Sequence, residues 1–92
     1  MTLTWAQLRE VPWGTMLVFP GDWDIYPYCI VPAGTRAVVT DNHLADAKDG
    51  CIYLLTDNAE VTRELKEWSG CVQFNPMNDG HSWDDESPVA LE

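Results

Sequence analysis

Cys29, Cys51 and Cys71, His43 and His81, and the pair Asp22 and Asp24 are the side chains of this 92-residue chain best equipped for chemistry. A nucleophilic cysteine needs a base beside it. A metal ion needs ligands that converge, commonly from a close pair such as C-x-x-C. Here the cysteines lie twenty or more residues apart, and the histidines sit in different polar stretches. DNHLADAKDG (41–50) is acidic, yet it lacks the alternating oxygens and the final glutamate of a calcium loop. Asp22 and Asp24 have the spacing of two carboxylates that face one way, as a glycosidase pair must. So small a chain leaves little room for a cleft, and turn capping accounts for both acids. The pattern predicts no enzyme, no metal and no cofactor.

An odd number of cysteines fits no complete disulfide framework, and each lies in or beside an apolar stretch. Buried thiols are the expectation. The net charge is -10, and residues 76–92 contribute five acids and no lysine or arginine. Such a surface repels phosphate backbones, which argues against direct nucleic-acid binding. It suits a basic protein partner, or the role of an acidic decoy that imitates nucleic acid. The first ten residues lack the basic start and apolar run of a signal peptide. No stretch approaches the length of a membrane span. A cytoplasmic protein that binds no membrane is the expectation.

The elements that must position these side chains are punctuated by a repeat. Val-Pro-x-Gly-Thr occurs at 11–15 and again at 31–35, each time before an apolar run. A phosphate loop wants several glycines at a helix start; here each copy has one glycine, a proline without an N–H, and a strand pattern after it. The repeat therefore predicts a turn, with proline second and glycine fourth, that bends the strand it leads into. Strands are expected at Thr15–Phe19, Tyr28–Val31, Thr35–Thr40, Cys51–Thr56 and Cys71–Phe74. Thr4 caps a short helix on which Trp5 and Leu8 share a face. Asp57-Asn58 caps a second helix, with Val61, Leu65 and Trp68 on one side. Residues 41–50 read as a loop anchored by Leu44. GDWDIYPYC (21–29) reads as a long structured loop. Residues 76–92 read as an acidic flexible tail that Trp83 pins to a domain of residues 1–75.

These elements make the chain mainly β, a small antiparallel barrel or curled sheet with a short N-terminal helix and one helix before the last strand. The Gly14-Thr15 corner, the loop GDWDIYPY, the corner VPAGT with RAVV, the strand CIYLL, and ELKEW ahead of CVQF together resemble small bacterial or phage-borne SH3-like barrel proteins. The resemblance spans Val11 to Phe74. In the peptide-binding members, aromatic and acidic residues of the first long loop grip extended proline-rich or basic peptides. On that resemblance Asp22, Trp23, Asp24, Tyr26 and Tyr28 are the expected partner-binding residues, with Trp23 essential. The tryptophan those members carry early in a middle strand has no counterpart in Thr35–Thr40 or Cys51–Thr56. The expected function is a non-enzymatic interaction or accessory module.

Overall fold

The computed structural model describes residues 2–46 and 50–92. Ala47, Lys48 and Asp49 of the expected 41–50 loop, and Met1 at the start of the chain, lie outside the described residues.

Thr4 opens helix α1, Trp5–Arg9, through a reciprocal box in which Thr4 and Gln7 side chains each accept the other's backbone N–H. Trp5 and Leu8 on its inner face are buried. The strands then run β1 (Met16–Val18), β2 (Trp23–Ile25), β3 (Cys29–Val31), β4 (Arg36–Asn42) and β5 (Ile52–Thr56). Helix α2 (Ala59–Glu64) follows, extended by one 3-10 turn at Lys66–Trp68, and then β6 (Cys71–Phe74) and β7 (Ala90–Leu91). Asn58 caps α2 by accepting from the amides of Glu60 and Val61.

Five strands form one antiparallel sheet in the order β6-β5-β4-β1-β7, while β2 and β3 form a separate two-stranded sheet. The expected closed barrel or curled sheet is thus overturned, and with it the SH3-like and all-β readings: the fold is a mixed β/α domain with two unfused, open sheets. The physical reason lies at the edge of β1. Its free side is taken by β7 from the end of the chain, with Val18 opposite Ala90. The β2–β3 hairpin is left to pair with itself. Nor is Cys71–Phe74 the last strand. In residues 76–92, read as a tail, Val89 is fully buried. Leu3 N–H donates to Val89 O at 2.8 Å, and Ser87 N–H donates to Leu3 O at 2.7 Å.

The repeated motif finds its explanation in the β1–β4 pair. Met16, Leu17 and Val18 oppose Val38, Ala37 and Arg36. At one end, Gly14 N–H donates to Val39 O at 2.7 Å and Val39 N–H donates to Thr15 O at 3.0 Å. At the other, Gly34 N–H donates to Phe19 O at 2.7 Å and Phe19 N–H to Thr35 O at 2.8 Å. Adding twenty to 14 and 15 and taking twenty from 39 turns the first set of bonds into the second. The repeat is a local two-fold axis through the Leu17–Ala37 pair. The turn frame differs from expectation by one residue. Thr15 N–H bonds to Pro12 O and Thr35 N–H to Pro32 O, so proline is first and glycine third. Gly14 and Gly34 have φ of 87° and 88°, the positive value that the third position of a type II turn demands.

Successive side chains alternate across the large sheet. Leu17, Ala37, Val39, Ile52, Leu54, Val72 and Phe74 point inward and are buried with Trp5, Leu8, Val61, Leu65 and Leu44. A bulge interrupts β4 between Val39 and Asp41. The extra residue reverses the alternation, so Asp41 opposes Tyr53 and Asn42 opposes buried Ile52. Asp41 and Asn42 are therefore strand residues, against the loop reading. Asn42 Nδ2 donates to the carbonyls of Val11 (2.8 Å), Leu8 (3.0 Å) and Arg9 (3.4 Å), closing the C-terminal end of α1.

Candidate functional site

GDWDIYPYC, read as a loop, is mostly the β2–β3 hairpin. Trp23 opposes Val31, Asp24 opposes Ile30, and Ile25 opposes Cys29. Its tip is tight: Tyr28 N–H donates to Ile25 O at 2.7 Å around a cis Tyr26–Pro27 peptide bond. A cis proline third in a four-residue turn defines type VI. Alternation across the hairpin sorts the five expected partner-binding residues into two groups.

Trp23 belongs to the packing. It is half-buried against the core, with its ring 5.9 Å from Phe74 at an interplanar angle of 76°. Asp22 is a turn cap: its Oδ1 accepts from Ala33 N–H at 2.7 Å and so ties the start of the hairpin to the second Val-Pro-x-Gly-Thr corner. Asp24, Tyr26 and Tyr28 face outward. Tyr26 is 87% exposed and Tyr28 37% exposed. Ile30, which sequence reasoning passed over, stands beside them at 58% exposure. Its signal was available in principle, since it alternates with Cys29 and Val31, but it becomes visible only once residues 23–31 are read as paired strands.

The hairpin does not stand free. Tyr28 sets its ring edge-on against Trp68, with centroids 4.7 Å apart and planes at 87°. Trp68 ends the 3-10 turn that follows α2, so this contact fixes β3 beside the helix. Between them runs a groove of about 350 Å3, lined by Tyr28, Cys29, Ile30 and Pro32 on one side and by Asn58, Glu60, Val61 and Glu64 on the other. Glu60 and Glu64 are four apart, one helical turn, and share this wall. Neither has an ion-pair partner among the described residues. Burial, then the nearby carboxylates of Glu64, Glu60 and Asp24, raise the pKa of Cys29, so its thiol stays protonated further into the alkaline range. The groove is acidic along one wall, apolar along the other, and open to a cation.

The remaining candidate residues do not join it. Cys51 and Cys71 are half-buried on the outer face of the large sheet, where Gln73 Nε2 donates to Cys51 Sγ at 3.3 Å. Where buried thiols were expected, all three cysteines are half-buried. Burial, followed by neighbouring Cys51, raises the pKa of the Tyr53 hydroxyl on this same face. His43 pairs with Asp46 at 2.8 Å, and His81 lies 3.8 Å from Asp85. Among the described residues no three His, Cys, Asp or Glu side chains converge as metal ligands, and no helix is long and apolar enough to cross a membrane.

The chain matches no family model, no curated protein and no solved structure in comparisons with known proteins.

Proposed function

We propose that the protein is a binding module that receives an extended, basic segment of another protein in the groove between β3 and α2. The carrying observation is the pair Glu60 and Glu64, without an ion-pair partner among the described residues, on the groove wall opposite Tyr28 and Ile30. A lysine or arginine side chain entering there gains two carboxylates, and the stem that carries the charge lies on apolar surface. Exposed Tyr26 and Ile30 add contact area at low rotamer cost, the composition that binding hot spots favour. Asp24, opposite Ile30 on the outer hairpin face, extends the negative field.

A fluorescent decapeptide of alternating lysine and valine serves as probe, read by anisotropy. The double variant Glu60→Gln/Glu64→Gln and the single variant Tyr26→Ala should each weaken binding at least tenfold. The charge-matched double variant Glu67→Gln/Asp84→Asn, altered at exposed positions that do not line the groove, should leave it within twofold. Equal weakening by the two double variants would contradict the proposal. It would indicate general charge attraction of the kind a nucleic-acid mimic uses.

A further inference from the structure

β6 ends the large sheet, and its outer edge carries no backbone partner among the described residues. Beside it lies a second cavity of about 290 Å3 that touches Cys71, Val72 and Gln73 in succession. Consecutive strand residues point to opposite faces. A cavity that meets three in a row therefore runs along the strand's edge, where the backbone groups are. Its apolar wall is Ile25, Leu65 and Trp68, and its far end holds Asn75, Asn78 and Asp79. Asn75 Oδ1 is buried with no hydrogen-bond partner among the described residues. An unmade bond of this kind is costly, and a donor arriving in the cavity relieves it.

We infer that the β6 edge is a second docking site, which takes an extended peptide from a partner protein as an added strand. The strand's backbone pairs with Cys71–Phe74. One apolar side chain, of leucine or phenylalanine size, enters the cavity against Ile25, Leu65 and Trp68. A lysine or arginine toward the Asn75 end meets Asp79, the only charged residue among the described ones that line the cavity. The arrangement reads an extended chain through its main chain first and its side chains second. At the other edge of the sheet, β7 has only two residues, and Glu92 next to it pairs with Arg36. The charge of -10 disfavours a second copy of this chain as the occupant.

The test pans a random decapeptide phage library on the full chain carrying Glu60→Gln/Glu64→Gln, so that the hairpin groove is disabled and the two sites are separated. Selected peptides should converge on an apolar residue with a basic one at a fixed spacing on the side that meets the Asn75 end. Their addition should shift the amide resonances of residues 71–75 and slow hydrogen exchange there. N-methylation of alternate peptide nitrogens on one edge should weaken binding at least tenfold, and Asp79→Lys at least fivefold. The inference is overturned if no peptide is selected. It is equally overturned if N-methylated peptides bind unchanged, or if sedimentation shows the free chain to be a dimer whose protected amides are those of β6.

Discussion

Tyr28 and Trp68 meet edge to face, their centroids 4.7 Å apart, and this contact joins the free hairpin to the turn that follows α2. The two residues are forty positions apart in the chain. Each half of the proposed groove lies beside one of them, and their contact helps hold its two walls together.

Replacing Trp68 with alanine should therefore loosen the hairpin before it unfolds the protein. An aromatic pair contributes about 0.5–1.5 kcal/mol beyond its buried area. Hydrogen exchange at β2 and β3 amides should quicken severalfold in Trp68→Ala, while β4 and β5 keep their protection. Uniform loss of protection across both sheets would show that the hairpin and the large sheet are a single cooperative unit.

The two corners should behave as equals. Gly14 and Gly34 share a positive φ, and a Cβ built at either position meets nothing within 4 Å. Gly14→Ala and Gly34→Ala should each cost about 1–2 kcal/mol from backbone conformation alone, read as urea midpoints. Gly70 differs: its φ is 79°, and its Cβ would come within 2.7 Å of Thr62 Cγ2. Gly70→Ala should cost more than either corner.

Asn42 should be hard to replace. Its amide serves three carbonyls at the end of α1 and its oxygen accepts from Leu44 N–H. Asn42→Leu leaves Leu8 O its Val11 N–H donor but strips the carbonyls of Arg9 and Val11 of this amide, a loss of about 1–3 kcal/mol. Asn42→Asp should be as damaging near neutral pH, because a carboxylate would face carbonyl oxygens. Thermal unfolding of the two variants provides the comparison.

Cys29 should alkylate slowly. The thiolate is the nucleophile, and burial together with Glu64, Glu60 and Asp24 raises the pKa of this thiol. Site-resolved iodoacetamide labelling between about pH 8 and 9, around the ordinary thiol pKa, should lag behind that of a free cysteine peptide. Glu60→Gln/Glu64→Gln should quicken it. The sign for stability follows: the folded state keeps a proton that the unfolded state has lost. This contribution therefore falls as pH climbs past the unfolded thiol's pKa.

Much of the local structure was legible because it is written in short-range chemistry. The Thr4 cap, the alternation in Ile52–Leu54 and the Val61–Leu65–Trp68 face each need only neighbours to be recognised. The far edge of the sheet was not legible. Whether β1 pairs with β7 depends on Ala90 and Leu91, whose two-residue strand carries no period of its own. Asn42 was hidden for a related reason. A one-residue bulge reversed its face, and bulges leave no mark in a polar stretch. Around the proposed groove, Tyr26 and Tyr28 stand out in the sequence by residue type, whereas Glu60 and Glu64 do not. Nothing in a helix sequence says that a distant hairpin will lie along it.

The groove itself is tested most directly by mapping amide chemical shifts on the full chain as the lysine–valine decapeptide is added. The largest changes should fall together on Tyr28 to Val31 and on Glu60 to Glu64, and should vanish in Trp68→Ala. Changes confined to the acidic stretch around Asp84 to Glu86, or persisting undiminished without Trp68, would contradict the proposed groove.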